Sequence, residues 1–370
     1  MIQAKVIADS KSPQGKRLTT MVVTFPRFIL AELNTHRMFS RNSASSRAIP
    51  FEKMVKSVQE NPFIPIAWQK DHKGMQGTEY ITDKFLIDFK TGVWLRARDE
   101  AINRAKELNG NLQRSRSFFD IQEIPETGVT KQLCNRLLEP FMWHTVLISG
   151  TEFSNFFNLR CPTYQVDTDI VGKSRKDIYK LYADKYKSTA YLDNFTELDW
   201  LKINKGQAEI HMMALAEAMW DAYNESVPKQ LKAGEWHIPF GDDINLDKLE
   251  EILHGPHRAS YIRHDGDIQQ AKVEIATAMC ARVSYTVVGE EGKEPNYEND
   301  LKLHDRLAKS GHWSPFEHCA KVMDDSEYVN CIGTNYNPIT DVAKTIHGIS
   351  GNFQGFIQYR KMFNNENITA

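Results

Sequence analysis

The chain has 370 residues, with 46 Lys and Arg against 48 Asp and Glu, and is 41% hydrophobic and 25% charged. That is the profile of a soluble globular protein, long enough for two domains or one elaborated domain with an ample core. A formal net charge of −2 excludes a general polyanion-binding surface, no run is long enough to span a bilayer, and five scattered cysteines without a CxxC exclude a disulfide framework or a zinc site.

In chain order, MIQAKVIADS has the features of neither a signal nor a transit peptide, so a cytoplasmic, reduced protein is expected. Residues 18–34, LTTMVVTFPRFILAELN, start β-branched and apolar, and Pro26 predicts that the strand ends there and a second element follows. Residues 85–109 are helix-forming with charges on one face. The stretch 128–160 reads as two helices, the first stopped near Pro140 and the second starting near Ser149 to Thr151, with Trp143 and His144 as packing groups inside helix. Residues 162–205 are polar, aromatic and charged, as in a surface insertion, and residues 205–223, KGQAEIHMMALAEAMWDAY, make the best helix in the chain. Residues 228–270 carry Pro, Gly and Asp and suit a connection; residues 271–285 read as a helix leading into a short strand or turn; 286–300 reads as a solvated loop. A short helix over 300–310 runs into GHWSPFEH, and FIQYRKMF is strand-like. Strands at both ends with helices between predict an α+β fold.

Three constellations carry possible chemistry. THRMFSRNSASSR, residues 35–47, follows a strand-like run and is dense in arginine and serine. Guanidinium forks and turn N–H groups with hydroxyls suit phosphate or carboxylate, although a solvated polar loop has the same composition and the segment lacks the glycines of a P-loop. Arg136 and Arg160 each sit in an apolar stretch, where arginine usually pairs with an acid or reaches outward. In HWSPFEH, His312, Glu317 and His318 fit no usual ligand spacing and Pro315 breaks regularity, so no metal is expected and contact with a planar cofactor is the better use.

Read together, these segments resemble the flavin-dependent thymidylate synthases, the ThyX family. That family carries R-H-R-x-x-S-x-N-x-x-S-x-R, matched here by His36, Arg37, Ser40, Asn42, Ser45 and Arg47, with Thr35 replacing the first arginine. Arg136 ahead of Pro140, the run Asn155 to Arg160 (NFFNLR) and Gln207 to Ile210 (QAEI) resemble its later motifs, and ARVSY (281–285) and GHWSPFEH (311–318) stand intact. The last two precede the arginine motif in usual members and follow it here, so the chain resembles a permuted or partly duplicated member. The two ends are then expected to meet and complete one site.

The resemblance implies a ThyX-like mixed sheet with a helical layer. Core parts would lie at 1–160 and 206–230, an insertion at 161–205, a connection at 231–270, and a second part at 271–370. It implies reductive methylation of dUMP at C5, with 5,10-methylenetetrahydrofolate giving the carbon and FAD relaying hydride from NADPH. It implies that Ser45, Arg47 and Arg136 hold the nucleotide, with Glu32, Ser43 and Gln207 beside it. Arg160 would stabilise charge developing on the base, and His318 would lie by the flavin ring. His36, Arg37, Ser40, Asn42, Asn155 and Ser284 would contact FAD. A homodimer or homotetramer with shared sites would follow, with no nucleic-acid or membrane partner. Glu32 stands where the family usually has glutamine and Ser43 where it often has an acid. These departures keep open a dCMP or dUMP methylase or hydroxymethylase, and the lost first arginine keeps open an inactive flavin- or nucleotide-binding protein. A carboxylate at Glu32 could accept from the exocyclic amine that cytosine has and uracil lacks.

Overall fold

A five-stranded mixed sheet organises the molecule, whose computed structural model describes residues 2–73, 77, 79–110, 128–254, 267–285, 296–332 and 351–366. Its strands are β1 (Gln3–Lys11), β2 (Arg17–Pro26), β3 (Ser40–Ser43), β4 (Trp143–Gly150) and β7 (Lys229–Gln230), in the order β3-β4-β2-β1-β7. All neighbours are antiparallel except β1 and β7. Between β4 and β7 come β5 (Tyr164–Gln165) and β6 (Val171–Gly172), a two-stranded pair. A three-stranded sheet joins β8 (Trp236–His237), β9 (Ala320–Val322) and β10 (Phe356–Gln358), in the order β10-β9-β8. Beside the sheets the chain forms α1 (Leu30–Leu33), α2 (Phe51–Glu60), α3 (Lys84–Leu108), α4 (Lys131–Arg136), α5 (Ser154–Arg160) and α6 (Arg175–Tyr186). It continues with α7 (Glu197–Ile203), α8 (Ile210–Glu225), α9 (Leu246–His254), α10 (Ile268–Arg282), α11 (Tyr297–Lys309) and α12 (Asp325–Ile332). The fold is α+β.

Helices cover the large sheet on both faces. On one face Met21, Val23, Phe25, Val146 and Ile148 pack on Phe156 and Phe157 of α5 and on Met212, Leu215, Ala216 and Met219 of α8. On the other, Val22 and Leu147 meet Cys280, Val283 and Phe240. With both faces covered, β2 and β4 bury nearly every side chain and so read as apolar runs, not as alternation. This corrects the helix expected around Trp143 and His144. The apolar run WHTVLIS is a central strand, because β-branched residues between two neighbours gain more from ladder pairing than from a helical turn. Helix α5 begins later than expected, at Ser154, without a side-chain cap.

Elsewhere the elements follow the pattern more closely. Strand β2 ends at Pro26, and a 3-10 turn and α1 follow it. Helix α10 uses small side chains (Ala271, Ala276, Ala278, Ala281) to sit close to its neighbours and is buried on most sides. A 3-10 turn over Val283–Tyr285 follows it. Residues 161–205 have their own small core of Tyr164, Ile170, Ile178, Leu192 and Trp200. They join α8 through Tyr164 Oη, which donates to Glu217 at 2.9 Å, and through Trp220 Nε1, which donates to Asp177 at 2.8 Å. Most of the expected loop over 286–300 lies outside the described residues, while α11 begins at Tyr297. No described helix is long and apolar enough to cross a membrane.

Candidate active site

The segment 35–47 leaves α1 and becomes the edge strand β3, which pairs Ser40 with Ser149 and Asn42 with Leu147 on β4. Strand alternation turns Ser40 and Asn42 inward. Ser40 Oγ accepts from Asn352 Nδ2 at 3.0 Å and from Gln358 Nε2 at 2.9 Å. Asn42 Nδ2 donates to the Cys280 carbonyl at 2.6 Å, and its Oδ1 accepts from the Ser284 hydroxyl at 3.2 Å. The Ser314 hydroxyl donates to the Arg41 carbonyl at 3.1 Å, and the Ser45 N–H donates to the Ser284 carbonyl at 2.8 Å. Gly150, at the end of β4, is required by this packing: a Cβ there would stand 2.9 Å from the Met38 carbonyl oxygen. Thus 35–47, ARVSY and SPFEH are held together by hydrogen bonds across separations of more than two hundred residues, and the two ends of the chain meet at β3.

A second cluster lies at the foot of α5. Arg160 Nε donates to His36 Nε2 at 2.9 Å, and its Nη1 stands 3.6 Å from Glu32 Oε2. The His36 ring packs edge-on against Phe156, centroids 4.9 Å apart. Burial, then the Arg160 and Arg41 guanidiniums, push His36 down to about 4, so the ring is a neutral acceptor. Burial and the neighbouring Glu209 raise the Glu32 carboxyl, against the pull of Arg160. Glu209 caps α8, accepting from the N–H groups of His211 and Met212 at 2.8 and 3.0 Å. Its Oε1 also pairs with His211 Nδ1 at 2.6 Å, and His211 Nε2 accepts from the Ile66 N–H at 3.0 Å. Glu209 and His211 escaped the sequence reading. Glutamate is not a usual capping residue, and nothing local marks His211 as its partner.

The remaining candidates are solvent-facing. Arg37, Arg47, Arg136, Asn155 and Gln207 are exposed, and Ser43 and Ser45 half-buried. Gln207 precedes α8, where its amide donates to the Lys205 carbonyl at 3.0 Å. Arg47 and Arg136 are brought to one region by Asn135, a residue the sequence reading passed over. It is fully buried, and its amide donates to the carbonyls of Ser46 at 2.8 Å and Ile49 at 3.1 Å. The helix KQLCNR mixes polar and apolar residues, so nothing local marks Asn135 as the buried one. A small cleft of about 20 Å³, room for about one water, opens among Arg27, Ser46, Ser57, Glu139 and Trp143. It includes neither Arg160 nor His318.

His318 is wholly buried. Its Nδ1 lies 2.8 Å from Ser149 Oγ, and its Nε2 has no hydrogen-bond partner among the described residues. Ser149 pairs with Ser40, three residues beyond Arg37, so the histidine touches the layer into which Arg37 leads, while its ring is enclosed and Arg37 is not. Glu317 forms an ion pair with Arg360 at 2.5 Å. Burial pushes the thiols of Cys161 and Cys319 up to about 12 and raises Cys280 as well, so these thiols are held protonated. No three His, Cys, Asp or Glu side chains among the described residues gather as metal ligands.

No family model and no curated protein matches the chain. Two solved structures of the UMP/dUMP methylase PolB from Streptomyces cacaoi, bound with 5-Br dUMP and 5-Br UMP, are loosely similar. The first is 12% identical, covers 54% of this chain and 94% of its own, and has a TM-score of 0.33. The second is 15% identical, covers 56% and 97%, and has a TM-score of 0.31. Similarity this loose carries no argument about this chain's chemistry.

Proposed function

We propose that the chain is a flavin-dependent thymidylate synthase that methylates dUMP at C5, using methylenetetrahydrofolate and NADPH. The observation that supports this is the convergence at β3. Segments 281–285 and 311–318, which with 35–47 resemble the family's motifs in an altered order, are each hydrogen-bonded to segment 35–47, and Arg160 of NFFNLR bonds His36 of that segment. A chain that kept these motifs by chance would have no reason to fold them together.

FAD would supply the hydride relay when bound. The fit of this chain to such a group is partial. Arg37 and Asn155 are exposed polar groups available to an anionic dinucleotide, and His318 Nε2 is a buried polar atom without a partner among the described residues. Ser40 and Asn42, by contrast, use their polar atoms within the chain, and their part is to shape the site. Arg47 and Arg136, carried on the loop and helix that Asn135 ties together, would hold the nucleotide phosphate. Arg160, oriented by neutral His36 and balanced by Glu32, would stabilise negative charge developing on the base carbonyl as C5 attacks, a preorganised cation that needs no reorganisation.

One observation favours a second reading. Glu32 places a carboxylate beside Arg160, where it could accept from the amine of a cytosine base, so a dCMP methylase or hydroxymethylase is the alternative. The test is mass spectrometry of nucleotides after incubating the protein with FAD, NADPH, methylenetetrahydrofolate and equal dUMP and dCMP. Methyl gain on dUMP alone is expected. Product on dCMP, or a hydroxymethyl group on either base, supports the second reading. Bound flavin without any product would overturn both in favour of an inactive binder.

A further inference from the structure

A buried polar seam joins the two sheets. Ser10 (β1), Thr20 (β2) and Ser149 (β4) come from the five-stranded sheet; His237 lies on β8, and His318 just precedes β9. Ser10 Oγ is 2.9 Å from His237 Nδ1, His237 Nε2 is 2.8 Å from Thr20 Oγ1, Thr20 Oγ1 is 2.6 Å from Ser149 Oγ, and Ser149 Oγ is 2.8 Å from His318 Nδ1. Both rings and the two middle hydroxyls are completely buried. Burial pushes each imidazole down to about 3, opposed at His237 by Asp9 and reinforced at His318 by His237, so both rings are neutral.

Proton counting then restricts the seam. Each hydroxyl and each neutral ring brings one proton, and each of the four links needs one. Four arrangements fill every link. Two converge on Thr20 or on Ser149, which leaves that hydroxyl's own proton and a bare His318 Nε2 both unmet among the described residues. The other two run one way along the seam. If the chain of donors starts at His318, its Nδ1–H donates to Ser149, Ser149 to Thr20, Thr20 to His237 Nε2, and His237 Nδ1–H to Ser10. This leaves two groups unmet among the described residues, the bare His318 Nε2 and the Ser10 hydroxyl proton. If it starts at Ser10, that hydroxyl donates to His237 Nδ1, His237 Nε2–H to Thr20, Thr20 to Ser149, and Ser149 to His318 Nδ1. Only His318 Nε2–H is then unmet. Unmet buried polar groups are unfavourable, so the second sense is preferred.

We propose that Ser10, His237, Thr20 and Ser149 are positioning residues that hold His318 as its Nε2–H tautomer, an uncharged N–H donor directed at an acceptor the described residues do not supply. A neutral N–H with no balancing charge selects an uncharged acceptor, a carbonyl oxygen or a heteroaromatic nitrogen, over a phosphate. The proposal does not depend on the reaction proposed above, and its test uses neither nucleotide nor cofactor.

The test is a long-range proton–nitrogen correlation spectrum of the full chain with ¹⁵N-labelled histidine, its rings assigned with His237→Gln and His318→Gln. Both His237 and His318 should carry their proton on Nε2. In Thr20→Val, His237 loses the acceptor of its Nε2–H and should switch to Nδ1–H, donating to Ser10, while His318 keeps Nε2–H. A packing role alone would move neither tautomer. Nδ1–H at His318 in the unaltered chain, or an unchanged His237 in Thr20→Val, would overturn the proposal. If Thr20→Val does not fold, the unaltered chain decides, with Thr20→Ser expected to keep its pattern.

Discussion

The seam between the sheets and the exposed arginines with the Arg160 cluster use polar residues to opposite ends. In the seam, hydroxyls and imidazoles are enclosed and consumed by one another, leaving one ring nitrogen without a partner among the described residues. By contrast, Arg37, Arg47 and Arg136 face solvent, and Arg160 is held by His36 and Glu32 while remaining partly accessible. The lesson is that a polar residue inside a resembling motif is not thereby a ligand contact. Ser40 and Asn42 stand in the same short segment as Arg37 and Arg47, yet alternation along β3 turns their side chains into the protein.

The contrast can be broken or sharpened by substitution. The largest effect is expected at Arg160. Arg160→Ala should lower turnover by about 3 kcal/mol or more in transition-state stabilisation, the scale of one lost preorganised donor, with the fold retained. Steady-state kinetics beside a melting curve would read both, and full turnover in the variant would remove Arg160 from the reaction. In the seam the order reverses. Ser149→Ala should cost about 1–3 kcal/mol of stability by leaving Thr20 and His318 Nδ1 short of a partner, measurable by denaturant unfolding.

Acid should act on both regions next, since His36 beside Arg160 is also held down, to about 4. His144, His237 and His318 are each held down to about 3, against an ordinary value of 6.5. The unfolded chain therefore binds protons that the folded chain refuses once pH drops below about 6.5. Their contribution to stability is complete above that pH and is lost as pH falls toward 3, at about 1.4 kcal/mol per pH unit for each ring. Unfolding free energy measured from pH 7 to 4 should fall with this sign; a flat profile would mean the rings are not buried neutral. The smallest effect on stability belongs to the exposed arginines. Arg136→Ala should change it by less than about 0.5 kcal/mol while weakening nucleotide binding, which calorimetry with dUMP would detect.

Much of the architecture was legible because it depends on local chemistry. Helix formers and spacing marked α3 and α8, Pro26 marked the end of β2, and the run into ARVSY marked α10. Strand β4 was misread because a strand covered on both faces loses its alternation and, by composition, matches a buried helix. The arginines stood out by residue type, while the site roles given to them came from the resemblance.

By itself, then, the sequence determined most of the elements, β4 apart, and which side chains carry charge, since propensity and hydrophobic pattern act over a few neighbouring residues. Only the tertiary structure decided that Asn42 would bond Ser284, that Asn135 would anchor the Ser46 loop, and that His237 and His318 would close on Thr20 and Ser149. Those contacts follow from strand register and from the meeting of distant segments: a shift of one residue in β3 would turn Asn42 to the opposite face, and one in β4 would turn Ser149.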